Sequence, residues 1–286
     1  MHQTTERSHR GPPCTAHARA CRAGIGAIVL ALAASAAAPA SAQAAAYVRL
    51  PGGPFVSVLP QGATPAASTV AIPPFALRTR PVTNAEFREF VLADPPWQRG
   101  RVPAVFADAR YLVDWASPQT VSPDASRDGA PVVDVSWFAA QAYCEHEGAR
   151  LPTWLEWEFA AAADETRTDA RADPAWRRRI LAWYERPASR ALPQVGGPPN
   201  VYGVSDLHGL VWEWVDDFNA LFIAGDSRTQ GDPELLKFCG AGAISIVDRD
   251  SFAVLMRIAL LASLGAADTT SSLGFRCARS LDGPSP

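Results

Sequence analysis

The sequence predicts a fold of short helices and short strands that are joined by long irregular connections. Three observations predict it. Apolar runs typical of strands are broken by glycine and proline, as in "YVRLPGGPFVSVLP" at 47–60. Helix starts carry capping signals, but the periodic segments after them are short. Nine tryptophans, all after Gln43, supply apolar area for a core without long regular elements.

The first 42 residues predict an export signal. Arginines at Arg7, Arg10, Arg19 and Arg22 precede the apolar run "IGAIVLALAASAAA", and the small residues "ASA" end at Ala42. We expect cleavage before Gln43 and a periplasmic or secreted mature chain of residues 43–286. Neither this run nor a later one reaches the length of about 18 apolar residues that spans a bilayer, so we expect no membrane span in the mature form. An uncleaved membrane anchor is the alternative.

Charge and length narrow the classes of function. The chain has 26 basic and 29 acidic residues, and the predicted leader holds four arginines and one glutamate, which leaves a mature net charge of −6. This balance does not favour nucleic acid or an anionic membrane surface as a partner. The mature part is long enough for one large domain or two small ones.

Two strand pairs are predicted near the mature N-terminus. Gly52, Gly53 and Pro54 interrupt the first apolar run, which predicts a hairpin within 47–60. The segment "TVAIPPFALRTRPV" at 69–82 is interrupted in the same way and predicts a second pair.

Three short helices follow from their capping residues. Thr83 and Glu86 have the spacing of a capping box, and so have Thr153 and Glu156. Ser136 predicts the start of a third helix, "WFAAQAYCEHE", which Gly148 ends.

The other segments are predicted to be mainly irregular. Residues 94–130 lack periodicity but are rich in aromatics, which predicts a packed segment around Trp97, Phe106, Tyr111, Trp115 and the nearby Trp137. The tripeptide "RRR" at 177–179 could bind an anion, but a solvated helix face is favoured. Residues 192–218 predict a glycine-punctuated loop that leads into a strand.

Five motifs in order resemble the formylglycine-generating enzyme family, whose domain is also called the sulfatase-modifying factor domain. They are "LPGGPF" at 50–55, "PVTNAEFREFV" at 81–91, "PVVDVSWFAAQAYCEHEGARLPTWLEWEFAA" at 131–161, "NVYGVSDLHGLVWEW" at 200–214 and "LGFRCAR" at 273–279. The resemblance covers nearly all of the mature chain. It implies one α+β domain over 43–286, related to the C-type lectin fold and with little regular secondary structure.

The resemblance implies an oxygen-dependent reaction whose residues are missing here. Authentic members oxidise a sulfatase cysteine to formylglycine with copper(I) held by two cysteines, because copper(I) prefers sulfur ligands. Counted back from "LGFRCA", these cysteines fall at about Ala253 and Ile258, and no cysteine lies between Cys239 and Cys277. Copper is therefore not expected. Other branches bind iron with three histidines, whereas the mature chain has only His146 and His208.

Three cysteines follow the leader: Cys144, Cys239 and Cys277. Counting alone allows one disulfide in any of three pairings. The resemblance implies the pair Cys144 and Cys277. Cys239, in "KFCGAGA", is then a single thiol, either a metal-binding or redox group or a small buried apolar residue.

The sequence contains two further groups of candidate ligands. Asn200, Asp206 and Glu213 lie where the family draws calcium ligands, although Leu210 replaces an expected amide, and Glu213 could instead be a buried carboxylate bonded to backbone amides. Candidates for ligand binding around the emptied site are Cys239, Asp248, Arg249 and Arg257, with structural ion pairing favoured for the charged residues.

These observations predict an exported protein that is not a sulfatase-activating oxidase and that binds a periplasmic protein partner or a small ligand. The chain looks most like the branch of accessory proteins that are encoded beside copper nitrite reductases, where "CGAGA" and a cysteine-free stretch occur together. An oxygen-dependent oxidoreductase with a diverged site and a lectin-like carbohydrate-binding module are the alternatives.

Overall fold

A computed structural model describes residues 46–59, 69–185, 191–220 and 252–281. The predicted export signal, residues 1–42, lies outside the described residues. Within the described ranges there are seven strands: β1 Tyr47–Leu50, β2 Gly53–Val56, β3 Thr69–Ile72, β4 Phe75–Arg78, β5 Trp212–Glu213, β6 Leu273–Gly274 and β7 Ala278–Ser280. The helices are α1 Asn84–Ala93, α2 Trp137–His146, α3 Trp154–Ala161, α4 Pro174–Tyr184 and α5 Phe252–Ala262.

The two predicted hairpins are wrong, because the strands pair across them. β2 pairs with β3 and β1 pairs with β4, both antiparallel, and Leu50 opposite Phe75 keeps the same register as Gly53 opposite Ile72. The four strands therefore form one interrupted ladder rather than two hairpins. Gly52 lies at the interruption with φ of +63° and packs so closely on Ile72 and Pro73 that no side chain would fit there.

A three-stranded sheet has the order β1-β4-β7, so the central strand β4 pairs with a strand from the C-terminus. All four residues of β4 are buried. Just before β7, Cys277 forms a disulfide with Cys144 of α2, with the Cα atoms 5.5 Å apart. Helix α2 is thereby joined covalently to the sheet. A second contact between distant segments is the short parallel pair of β5 and β6.

The three helices predicted from capping residues are confirmed. Both capping boxes form: the Thr83 and Thr153 side chains accept from the amides of Glu86 and Glu156, whose carboxylates accept from the capping amides in return. Ser136 caps α2 by accepting from the Ala139 amide. This helix ends at His146, just before Gly148 with its positive φ of 64°.

The irregular segment 94–130 has one short 3₁₀ turn at Pro95–Trp97 and is packed as predicted, with one exception. Tyr111 and Trp115 are buried, whereas Phe106 is 41% exposed. Its ring packs edge-on against Phe138 at the surface. The predicted strand after the glycine-rich loop is confirmed as β5.

The basic tripeptide lies on α4, which begins with Pro174 after the capping residue Asp173. Arg178 and Arg179 are exposed, as the favoured solvated helix face requires. None of the helices among the described residues is long and apolar enough to cross a membrane. The fold class is α+β with few regular elements, as predicted.

Candidate functional site

Helix α5 occupies the place where the family resemblance implies copper ligands. Ile258 is 1% exposed and belongs to the main core, whereas Ala253 is half-buried against a separate small cluster around Trp176 and Ile180. Both positions are filled by packed aliphatic side chains. The only described cysteines, Cys144 and Cys277, are joined to each other.

Arg257 points from α5 into the protein interior and is 2% exposed. Its guanidinium lies over the Trp157 ring, 3.6 Å from the centroid, and its Nη2 donates to the carbonyl oxygen of Glu213. These contacts fix α5 on the tryptophan core. The position therefore favours a structural role for Arg257 over the predicted ligand contact. Arg257 makes a cation–π contact with Trp157 and a hydrogen bond to the carbonyl oxygen of Glu213.

Glu213 and Arg276 form an ion pair that is entirely buried. Arg276 Nε and Nη2 donate to the two carboxylate oxygens, each at 2.8 Å, and Trp157 Nε1 donates to Oε2, also at 2.8 Å. The alternative prediction, a buried Glu213 carboxylate bonded to backbone amides, was wrong about the donors. The carboxylate accepts from the side chains of Arg276 and Trp157 instead. Such a pair is stable only because both charges are hydrogen-bonded.

The residues predicted to bind calcium are hydrogen-bonded to protein groups in this structure. Asn200 Oδ1 already accepts from the amides of Tyr202 and Val204, and its Nδ2 donates to the carbonyl of Ala160. Both carboxylate oxygens of Glu213 are bonded to Arg276. Calcium takes six to eight oxygen ligands. Asn200 Oδ1 and Glu213 Oε2 each already accept two bonds, whereas each carboxylate oxygen of Asp206 accepts one. Calcium binding by Asn200, Asp206 and Glu213 stays a prediction.

Three of the predicted ligand-binding residues, Cys239, Asp248 and Arg249, lie outside the described residues. Within the described ranges, no group of three or more histidines, cysteines, aspartates or glutamates could hold a metal ion.

A cleft of about 370 Å³ lies between α4 and the loop that precedes β5. Helix α4 lines one wall with Trp176, Arg179, Ile180 and Trp183. The other walls are formed by segments after α3 and before β5: Ala163, Asp164, Glu165, Pro198, Pro199, Asn200, Val204, Asp206, Leu207, His208 and Gly209. This volume is within the range of small-molecule sites.

Asn200 and His208 hold the loop wall of the cleft against the end of α3. The last carbonyls of a helix have no partner within it. Here Asn200 Nδ2 donates to Ala160 O at 2.8 Å, and His208 Nε2 donates to Ala161 O at 2.9 Å. These side chains therefore cap α3 and position the cleft.

His208 separates the cleft from a second cavity of about 20 Å³ beside Ala253. Its ring is packed edge-on between Trp157 and Trp176. Burial, aided by the positive charges of Arg257, Arg179 and Arg276, lowers the pKa of His208 to about 4. The ring is therefore neutral near pH 7.

The aromatic wall of this cleft was not predicted from the sequence. Trp176 and Trp183 are seven residues apart on α4, a spacing that places both on one helix face, and Asp173 with Pro174 is a helix-start signal. This pattern was sufficient to predict a helix with an aromatic face. The prediction for this segment was based instead on the basic tripeptide that lies between the two tryptophans.

The chain is similar to known proteins over most of its length. Residues 33–281 match the family model described as "Sulfatase-modifying factor enzyme 1-like domain". The formylglycine-generating enzyme of Streptomyces coelicolor is 31% identical over 285 residues, which cover 82% of this chain and 89% of that enzyme. The "Inactive C-alpha-formylglycine-generating enzyme 2" of Mus musculus is 30% identical over 85% of this chain and 88% of the relative.

The similar proteins also include an enzyme with a different named activity and a protein of known structure. The hercynine oxygenase of Mycolicibacterium smegmatis is 33% identical over 58% of this chain, and the chain spans 44% of that enzyme. The crystal structure of CarF covers 83% of this chain and 99% of its own, with a TM-score of 0.44 and 18% identity. Because the family model covers most of the chain and a relative above 30% identity is matched over nearly its whole length, this chain belongs to the formylglycine-generating enzyme, or sulfatase-modifying factor, family.

Proposed function

We propose that this protein is an exported member of its family that does not oxidise sulfatase cysteines and that acts as a binding or accessory factor. One observation carries the proposal: after the leader the chain has three cysteines, and the structure joins two of them, Cys144 and Cys277. At most one thiol, Cys239, is left, so two-thiolate coordination of copper(I) cannot form within the chain.

The surroundings of the emptied position support this proposal. In place of thiolates, α5 carries the packed side chains of Ala253 and Ile258, and the guanidinium of Arg257 covers the Trp157 ring. The iron-dependent alternative needs three histidines, whereas one of the two mature histidines, His208, is a cap for α3. The family also contains relatives that are named inactive, so loss of the reaction is compatible with this fold.

A direct assay tests the absence of oxidase activity. The mature protein is incubated with copper, oxygen and a sulfatase-type cysteine peptide, and aldehyde is measured by mass spectrometry. The Streptomyces coelicolor enzyme serves as the positive control on the same peptide. We expect no conversion. Aldehyde that disappears in Cys239→Ser would refute the proposal and place Cys239 at the centre of a different reaction.

The accessory role is tested with a copper nitrite reductase, which the "CGAGA" resemblance suggests as a partner. We expect the tagged mature protein to co-purify with this reductase from periplasmic extract, and copper loading of the reductase to fall when the chain is deleted. Unchanged copper loading would contradict this part of the proposal.

A glycan array tests the lectin alternative, and metal analysis of the purified protein tests the calcium prediction.

Export is tested by N-terminal sequencing of the protein from a periplasmic fraction. We expect the sequence to begin at Gln43, because the small residues Ala40 and Ala42 fit signal cleavage. A periplasmic form that begins at Met1 would contradict the predicted cleavage.

A further inference from the structure

The cleft beside α4 combines residues from two different parts of the sequence. Its loop wall, from Asn200 to Gly209, lies inside the motif "NVYGVSDLHGLVWEW" at 200–214, which the family resemblance includes. Its aromatic wall on α4 lies at 174–184, outside the five motifs. The cleft is thus formed by one segment inside the motifs that carry the family resemblance and one segment outside them.

The charged groups of the cleft are mostly neutralised by neighbours. Asp164 accepts from Arg167 Nε at 2.9 Å and from the backbone amides of Thr166 and Arg167. Glu165 forms an ion pair of 3.1 Å with Arg179, and both are half exposed at the rim. These two acids and one arginine consequently leave little charge for a ligand.

Asp206 differs from the other acids that line the cleft. Its two carboxylate oxygens accept from the backbone amides of Gly196 and Gly197, at 2.6 and 3.1 Å. Among the described ranges, no arginine, lysine or histidine forms an ion pair with it. Each oxygen accepts one bond and so keeps a further acceptor site. Asp206 also has a positive φ of 61°, an uncommon conformation for a residue other than glycine.

The aromatic wall supplies the second half of a cation site. Trp176 is held edge-on against His208, with ring centroids 5.6 Å apart, and Trp183 packs on Trp212 with centroids 5.2 Å apart. Indole faces attract cations, and the attraction grows when water is excluded. His208 is neutral here and adds no positive charge of its own. Of the arginines near it, Arg179 is paired with Glu165 and Arg276 with Glu213, which reduces the positive charge that would oppose a cation.

We infer that this cleft binds an organic cation, an ammonium or guanidinium group, with its charge at Asp206 and its apolar part against Trp176 and Trp183. The inference deepens the proposed binding function and rests on it. The volume of about 370 Å³ suits a small amine or one basic side chain of a peptide. A small amine and a basic peptide side chain present the same charged group, so the experiment has to distinguish between them.

The test compares a cation with an uncharged molecule of the same shape. Calorimetric titration of the mature protein uses choline, 3,3-dimethylbutan-1-ol as its neutral counterpart, and a short lysine-containing peptide. We expect dissociation constants of about 0.1 to 1 mM for the cationic probes, as one charge pair with one or two cation–π contacts allows. The neutral alcohol is expected to bind at least about tenfold more weakly.

Two variants locate the site. Asp206→Asn keeps an acceptor oxygen and tolerates the positive φ but removes the charge, and it is expected to weaken choline binding about tenfold. Trp183→Leu removes the indole face and is expected to weaken it severalfold. Glu145→Gln, an exposed change on α2, is the matched control and leaves binding unchanged. Trp183→Leu keeps the test decisive if Asp206→Asn does not fold.

Several results would overturn the inference. They are equal affinity for choline and the neutral alcohol, unchanged affinity in Asp206→Asn, or binding of calcium or maltose at Asp206 in place of organic cations. Failure of the cation site is separable from failure of the proposed function. The former leaves the formylglycine assay negative, whereas the latter makes that assay positive.

Discussion

The two ends of the domain treat their buried polar groups differently. Around the disulfide, Arg78 is buried beside Glu86 and Tyr143, and the disulfide, the capping boxes and the sheet hold the elements together. Around α4 and α5, packing of tryptophan on arginine and histidine replaces such cross-links. The first region carries elements of the family fold, and in the second region packed Ala253 and Ile258 stand where the resemblance implies copper ligands. The comparison shows that the disulfide-linked sheet and the packing of α5 depend on different kinds of contact.

Removal of the disulfide is expected to cause the largest single loss of unfolding free energy in the first region. Replacing Cys144 and Cys277 together by alanine removes a link across 133 residues, which is worth about 5 kcal/mol in the chain-entropy model. Urea denaturation of the variant and the parent measures the difference. Peptide mapping of the parent is expected to find the Cys144–Cys277 bridge and a thiol at Cys239. A bridge from Cys239 to either partner would contradict this.

The buried ion pair between the two regions is expected to give the next largest effect. Arg276→Leu leaves the Glu213 carboxylate buried with Trp157 as its remaining side-chain donor, which costs about 3 to 5 kcal/mol of unfolding free energy. Arg178→Ala, on the solvated face of α4, is the control and is expected to change stability by less than about 0.5 kcal/mol. Equal effects of the two variants in urea denaturation would show that the pair does not stabilise the fold.

The free energy of unfolding of the second region is expected to depend on pH because of His208. Its pKa is lowered to about 4 from the usual 6.5, so the unfolded chain binds a proton that the folded chain does not. Its stability contribution is present above pH 6.5 and is lost as the pH falls toward 4. For this half-buried ring we expect about 1 to 2 kcal/mol.

The measurement compares parent and His208→Gln at several pH values, since glutamine can still donate to Ala161 O without titrating. The difference in unfolding free energy between the two isolates the histidine from carboxylates with raised pKa, such as Glu158 in its buried position. A difference that does not vary between pH 4 and 6.5 would contradict the assigned role.

The smallest expected effects come from the helix caps of the first region. Thr83→Ala and Thr153→Ala each remove a side-chain acceptor from a capping box, at a cost of about 1 kcal/mol. Thermal unfolding measures both, and replacement by serine is expected to restore most of the loss. No restoration by serine would mean that the methyl group rather than the cap is responsible.

The features that were predicted from sequence are local, and those that were missed are not. A capping box is complete within four residues, so Thr153 and Glu156 indicate α3 by themselves. Strand pairing depends on partners far along the chain, which is why β1 with β4 could not be read from the interruptions in each run. The same holds for Glu213, whose partner Arg276 lies 63 residues away.

The site was predicted less completely than the fold. Missing thiols are visible in the sequence, and so is the implication that copper has no ligands. The cleft depends on the position of α4 against the loop at 198–209, which no local pattern determines. Asp206 was predicted as a calcium ligand, and the structure adds that its carboxylate accepts from the amides of Gly196 and Gly197 and lines a cleft with two tryptophans.

The bridge between Cys144 and Cys277 also determines how the protein survives proteolysis. It closes a covalent ring that includes α3, α4, the cleft and α5, while β1 to β4 and α1 lie outside this ring. A protease that cuts once within the ring leaves both ends attached, so the nicked molecule migrates at full mass until it is reduced. A cut before Cys144 instead releases the N-terminal strands from covalent attachment, so the position of a single cut decides whether the product remains one molecule.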